Sequence, residues 1–291
     1  DGLGTAGVEI TTPFSSSSTT ENGGTVSTKV RLKSAPLSPV TITLNSSDTQ
    51  EGTVSPTVLT FNKDNWDSYV SIIVTGVDDD IADGSQSYEI QIASVVSEDS
   101  KYSALNGQID PIKLQNEDDE IKAIVLGSLS GDTTEAGGNA TFSVKLASKP
   151  IEAVSIPIIS TDTSEGTVSV SSLSFDNSNY NTVQTVTVNG EDDDERDGNI
   201  AYQVKIGPTS SNSLPYNNVE SLTHSITNID NETSGVTVSS TNITTDEAGS
   251  TSTFTVKLVT KPSADVTINL RSTDPGEGVI SASKLTFTGS N

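Results

Sequence analysis

The 291-residue chain carries 39 acidic against 15 basic residues, a net charge of -24 and a pI near 4.1, so nucleic-acid phosphates and anionic membrane surfaces would repel it. Without Cys or Met and with one His, disulfide frameworks, thiolate metal sites, cysteine nucleophiles and most transition-metal chemistry are excluded. No apolar run nears the roughly 18 residues of a membrane span, and the opening "DGLGTAG" has neither the basic nor the apolar region of a signal peptide.

At 32% hydrophobic and 4% aromatic residues the composition is lean, and pattern has to separate a fold from disorder. The first clear element is the turn "TTENGG" with Glu21, followed by "TVSTKVRL", whose alternation marks a half-buried strand. After "LTF" at Phe61 come the aromatic Trp66 and the alternating "VSIIVTG". An acidic turn, "VDDDIADG", then leads into "SYEIQI", and "IKLQNEDDE" closes the segment.

The same order then begins again. "TTEAGGNATFSVKL" and "TTDEAGSTSTFTVKL" place Glu135 and Glu247 at spacings of 114 and 112 residues from the preceding copy. From each glutamate to the Phe of "LTF" or "LSF" (Phe61, Phe175, Phe287) is 40 residues, and from Phe61 to Asp78 and Phe175 to Asp192 is 17. Trp66 matches Tyr180, and Asn116 matches Asn228.

A disordered chain has no reason to keep such a register, so the sequence predicts repeated units: 1-118, 119-230, and the first half of a third over 231-291. The third stops four residues after Phe287, before an acidic turn. The expectation is a piece of a longer chain, with completion of the half unit by a strand from another chain as the rarer alternative.

Short alternating strands, frequent Asn-Gly and Asp-Gly turns and no helical periodicity predict an all-β architecture. About seven strands in each ~110-residue unit fit tandem immunoglobulin-like antiparallel β-sandwiches, the third incomplete.

In a sandwich, loops distant in sequence gather at one end. Glu21, the Asp78 to Asp83 turn, and Asp118 with Asp119 are therefore candidates for one site offering oxygens to a hard cation, with calcium the natural ion. An EF-hand is excluded, because position 5 of the loop, which must supply a ligand, is Ala82, the glycine arrives one residue late at Gly84, and the flanks are strands. Recurrence at a fixed register distinguishes these acids from an ordinary solvated acidic loop.

The units resemble Calx-beta domains in the glutamate of "TENGG" and "TEAGG", in "VDDDIADGSQSYEI" and "EDDDERDGNIAYQV", and in the terminal "NEDDE". The resemblance covers both complete copies and the opening half of the third. It implies calcium ligands at Glu21, Asp78, Asp79, Asp83, Asp118 and Asp119, and in the second copy at Glu135, Asp192, Asp193, Asp197, Asp230 and Glu232. The second set is the weaker, since "NIDNE" replaces one terminal carboxylate with Asn231. The family's "DY" loop is replaced by the shorter "SSDTQEGTVSP" and "STDTSEGTVSV", where Asp48 and Asp162 are candidates to compensate.

Other features are read as structural. Trp66 and Tyr180 fit packing or loop anchoring better than sugar stacking. His224 occurs in one copy, without a nucleophile elbow, so no hydrolase triad is expected. Lys145 and Lys257 alternate with Phe142 and Phe254 and so face solvent, where an isopeptide crosslink would be unshielded. The Asn-x-Ser/Thr sequons at Asn45, Asn139, Asn231 and Asn242 are expected by chance in so Ser/Thr-rich a chain.

Together these features predict a non-enzymatic, calcium-stiffened stalk or adhesive array of a secreted or cell-surface protein. Its expected partners are neighbouring repeats, an adhesion target of protein or glycan, and further copies through self-assembly. The alternatives are a filament or matrix subunit built by strand exchange and a regulatory calcium-sensor module of a membrane protein.

Overall fold

The computed structural model of the chain describes residues 4–11, 17–212 and 214–291. In the first unit the alternating segments form β1 (Val8–Ile10), β2 (Ser18–Thr20), β3 (Thr25–Leu32), β4 (Val40–Ser46), β5 (Gly52–Ser55), β6 (Val58–Phe61), β7 (Val70–Gly76), β8 (Gln86–Val96) and β9 (Ile112–Glu117). One helical turn, α1 (Ser100–Ser103), lies between β8 and β9. One sheet runs β1-β3-β7-β5 and the other β2-β9-β8-β4-β6. The inward residues of both sheets, among them Val26, Val30, Ile42, Phe61, Ile72 and Ile90, form a closed core.

The second unit repeats this plan. Ile124–Leu126, Asn139–Leu146, Gln184–Gly190 and Gly166–Val168 make one sheet. Thr133–Thr134, Leu222–Ile229, Ile200–Ile206, Val154–Ser160 and Ser172–Phe175 make the other, with Ser210–Ser211 also paired to Val154–Ser160, over a separate core that includes Phe142, Phe175 and Val204. The chain is a tandem of antiparallel β-sandwiches, as the alternation predicts.

Each unit has more strands than the expected seven, for two reasons. The N-terminal edge divides between the sheets as β1 and β2. The segment after the "DTQEG" turn also divides, because Val54 and Leu59 are an odd number of residues apart and would face opposite ways on one flat strand. Crossing from β5 in one sheet to β6 in the other turns both into the core.

One strand pairing in each complete unit is not antiparallel. β2 runs parallel to β9, with Thr20 opposite Glu117. Both strands therefore exit at the same end of the sandwich, where β8 begins (Gln86 opposite Asn116) and where Gly76, ending β7, donates to the Gly24 carbonyl at 3.0 Å. Thr133–Thr134 is parallel to Leu222–Ile229 in the same way. The first, middle and last acidic segments are thus gathered by strand order alone.

In the third segment, Val236–Val238 pairs with Val256–Leu258 and Val266–Asn269 with Lys284–Phe287, with no opposing sheet among the described residues. Phe254, Val256 and Leu258 stay partly exposed, whereas their counterparts Phe142, Val144 and Leu146 are buried.

A buried tyrosine braces each complete unit. The Tyr102 hydroxyl donates to the Ser34 carbonyl at 2.6 Å and lies 3.0 Å from Ser34 Oγ. Tyr216 holds Ser148 identically, at 3.0 and 2.8 Å. We expect Tyr102→Phe to destabilise the first unit by about 1–3 kcal/mol, because it strands buried polar groups at Ser34. Trp66, the only tryptophan, packs against the first core, so its fluorescence during denaturant unfolding reports this change. Tyr216→Phe leaves that signal's midpoint unmoved.

Candidate cation site

Glu21 follows β2 directly and is 2% exposed, an unusual burial for a carboxylate in so acidic a chain. Its N–H donates to the Glu117 carbonyl at 3.0 Å, extending the β2–β9 pairing and aiming the side chain at the acids beyond β9. Carboxylate oxygens of Glu21, Asp118 and Glu120 lie within 4.8 Å of one another. A second group, Asp78, Asp119 and Glu120, shares Glu120 with the first and faces solvent. In the second unit Glu135, Asp230 and Glu232 form the counterpart of the first group.

Main-chain amides hold the middle acid of each group. Asp118 accepts from the Gly84 N–H with Oδ2 and from the Glu120 N–H, at 2.8 Å, with Oδ1. Asp230 accepts from Gly198 at 2.7 Å and from Glu232 at 2.6 Å. Gly84 and Gly198 have φ of +81 and +85°, a conformation that L side chains rarely adopt, so the amide is presented by a glycine-specific turn. By contrast Glu21 Oε2, Glu120 Oε2 and Glu232 Oε2 are buried without a hydrogen-bond partner.

These surroundings favour neutral carboxyls. Burial, then the Glu120 carboxyl and the charges of Asp118 and Asp79, push Glu21 up to about 8. Contact with Glu135, then burial and Asp230, raise Glu232 to about 7. Burial raises Glu120 as well. A cation would let three carboxylates this close ionise together near neutral pH. Their oxygen-only donor set suits a hard ion such as calcium.

The other sequence candidates fall around these groups. Asp79 Oδ1 accepts from the Ile81 N–H at 2.5 Å, and its charge still acts on Glu21. The Asp83 N–H donates to the Ile81 carbonyl at 2.8 Å, and the Asp83 charge raises Glu51. Asp192 accepts from Asn231 Nδ2 at 3.2 Å, so an amide occupies the position that Asp119 fills in the first unit. Asp193 caps Glu195 at 2.6 Å, and Asp197 acts on Glu165 through its charge. None of these five belongs to a three-acid group among the described residues.

Asp48 and Asp162 do not reach the groups. Each caps its own turn, accepting from Gln50 N–H at 2.9 Å and Ser164 N–H at 3.1 Å. The short loop instead contributes Glu51 and Glu165, whose pKa values are raised, chiefly by burial and with added repulsion from the acidic turn. Glu120, Glu51 and Glu165 were not among the expected residues. Glu120 was legible, since it stands two residues after Asp118 as Glu232 stands two after Asp230, and "EGTV" recurs after both short turns.

The acidic turn also touches the next unit. Lys149 N–H donates to the Asp80 carbonyl at 2.7 Å, and Lys261 N–H to the Asp194 carbonyl at 2.8 Å. Isolated parallel bridges join Ile81 to Lys149 and Glu195 to Lys261. Burial and then the nearby Asp80 carboxyl raise the pKa of the Tyr180 hydroxyl, while the Tyr180 carbonyl accepts from Leu146 N–H at 2.8 Å, so it anchors a loop as expected. His224 is held by the Gly127 carbonyl at 3.1 Å and by the Phe142 ring.

No family model matches the chain, and no curated protein matches it. Among solved structures, domains 4 and 5 of the S-layer protein SbsC are 15% identical, over 65% of this chain and 75% of that one, with a TM-score of 0.28. CBD12 from CALX1.2 is 13% identical, over 66% and 77%, with a TM-score of 0.29. The calcium binding domain CBD12 of CALX1.1 is 14% identical, over 67% and 79%, with a TM-score of 0.27.

A carboxyl whose pKa is raised by folding stabilises the fold only while it is protonated. Its contribution is complete below about pH 4.5 and is lost as the pH rises through about 7 to 8. We therefore expect the melting temperature of calcium-free protein to fall between pH 5 and pH 8.5, and Glu21→Gln to shrink that fall. Scanning calorimetry across the range checks both.

Proposed function

We propose that the chain is a tandem array of Calx-beta-type units that bind calcium at the exit of each complete unit, and that the ion stiffens the junction to the next. The observation that carries this reading is Glu21, nearly fully buried with an unpartnered Oε2, aimed at Asp118 and Glu120. An isolated buried carboxylate is costly, and three sharing one small volume are more so. The first unit would hold its ion through Glu21, Asp118 and Glu120, with Asp78 and Asp119 on the solvent side. The second would hold its ion through Glu135, Asp230 and Glu232.

One of the proposed ligands, Asp78, and the contact of Asp80 and Ile81 with the next unit share one short turn. Without a cation, repulsion works against the turn that carries the Asp80 contact to Lys149; with one, the same acids draw together. Such a device suits a stalk or adhesive array of a secreted or cell-surface protein, where millimolar calcium matches weak sites. The expected partners are neighbouring units and a protein or glycan target. The role is mechanical rather than catalytic, in keeping with a lone histidine already engaged by Gly127 and Phe142. No helix among the described residues is long and apolar enough to cross a membrane.

Calcium at a hundredfold excess over its Kd should stabilise the protein by about 2.7 kcal/mol, several degrees of melting temperature for a unit of this size. Small-angle scattering should show a narrower spread of unit orientations with calcium than with chelator. Glu21→Gln combined with Asp118→Asn removes the gain reported by Trp66. Identical melting and scattering in chelator and in millimolar calcium would sink the reading.

A further inference from the structure

Beneath the acidic loops each complete unit buries the same set of polar side chains. In the first, Thr19 and Asn116 are 0% exposed and Tyr88 is 2% exposed. Thr19 Oγ1 lies 2.9 Å from the Tyr88 hydroxyl and donates to Asn116 Oδ1 at 2.9 Å. Asn116 Nδ2 donates to the Val77 carbonyl at 2.8 Å and faces Glu51 Oε2 at 3.4 Å, while Val77 N–H donates to the Glu51 carbonyl at 3.1 Å. Val77 immediately precedes Asp78, so the entry to the acidic turn is held through both of its main-chain groups.

The second unit repeats the arrangement. Asn228 Nδ2 donates to the Glu191 carbonyl at 2.9 Å, and Glu191 N–H to the Glu165 carbonyl at 3.1 Å. Thr133 Oγ1 lies 3.1 Å from the Tyr202 hydroxyl. Asn228 Oδ1 has no partner, so this copy lacks the threonine contact of the first.

Two glycine pairs make room for the arrangement. A Cβ on Gly76 or Gly190 would overlap the carbonyl of Thr20 or Thr134 and the Oδ1 of Asn116 or Asn228. One on Gly52 or Gly166 would overlap the ring of Tyr88 or Tyr202.

Asn116 continues the inward series Ile112, Leu114, where an apolar side chain would be the ordinary choice. An amide at that position needs partners for both of its ends, and the partner of its donor end is the acidic turn. We propose that Asn116 and Asn228 are positioning residues of the cation site. Each fixes the main chain at Val77 or Glu191, the entry to the turn that brings Asp78 to the first site and the Gly84 or Gly198 amide to Asp118 or Asp230, without touching the ion.

The proposal rests on the calcium reading, and two measurements on the full chain separate them. In a background carrying Glu135→Gln and Glu232→Gln, which silences the second unit, calcium titration follows the first site. Amide exchange over Val77 to Gly84 is read separately in chelator. Asn116→Leu, and Asn116→Ala in case the larger side chain does not fit, should weaken calcium binding about 10–100-fold, as loss of an outer-shell partner does. Both should speed exchange across the turn.

Tyr102→Phe, which destabilises the same unit away from the site, should change neither, whereas a merely structural asparagine would behave like it. Unaltered affinity and unaltered exchange in both Asn116 variants overturn the proposal. If the parent protein shows no calcium response, the calcium reading fails. The exchange data in chelator then decide the positioning, which faster exchange confined to the turn supports and unchanged exchange overturns.

Discussion

Mutual repulsion among carboxylates at the end of each unit is the constraint around which the rest of the sandwich is arranged. Two charges about 4 Å apart repel by about 1 kcal/mol in water and by several times that where solvent is thinned, as it is around Glu21. The loops nevertheless stay together, because they are exits of strands paired for other reasons. β2 beside β9 and β8 beside β9 bury apolar faces in the common core, and hydrophobic burial along whole strands outweighs repulsion at their tips.

Part of the repulsion is answered locally. Gly84 and Glu120 direct main-chain N–H groups at Asp118, and Gly198 and Glu232 do so at Asp230. Asp230 is accordingly held below the usual carboxylate range, first by the Glu232 amide. The flanking acids receive less. Glu21 Oε2 and Glu120 Oε2 in one unit and Glu232 Oε2 in the other are left without donors, so the charge that remains is concentrated on one small volume. A proton or a cation can fill that role, and only the cation lets every acid stay ionised. Unit two needs less of it, since Asn231 brings an amide to Asp192 where unit one has the extra carboxylate of Asp119.

Most of this was legible in the sequence because the chain repeats itself. Alternation gave the strands, and the constant spacing from Glu21 to Phe61 and from Glu135 to Phe175 gave equivalent positions. The site's outline followed from the rule that sandwich loops gather at the ends. What was not legible depends on pairing rather than pattern. Nothing local to "STT" says that it lies parallel to "LQNE", and that pairing is what buries Glu21. The sheet change between Val54 and Leu59 was written in their odd spacing, yet only the second sheet shows that both face the core. Glu120 and Glu232 stand at one repeat position, and only the structure shows that Glu120, like Asp118, reaches Glu21. Asp48 and Glu51 sit in one short turn, and only the backbone shows that Asp48 closes the turn while Glu51 extends toward Asn116.

The junctions follow from the same geometry. The acidic turn of each complete unit also offers a main-chain carbonyl to the next unit. There the Asp80 and Asp194 carbonyls accept from Lys149 and Lys261. The lysines supply their amides for this bond, so side-chain charge is not its basis, although at the second junction the Lys261 ammonium also pairs with Glu195. At the first, no such ion pair forms among the described residues, and the Asp80 carboxyl instead acts on the Tyr180 hydroxyl. The two junctions thus keep one backbone contact and vary the side chains around it, as expected if the direction of the turn, rather than any single ion pair, sets how one unit meets the next. Whatever fixes the turn then fixes the junction. That places the buried asparagine, the acids above it and the following unit on one continuous path of contacts, with the carboxylate cluster as its one adjustable member.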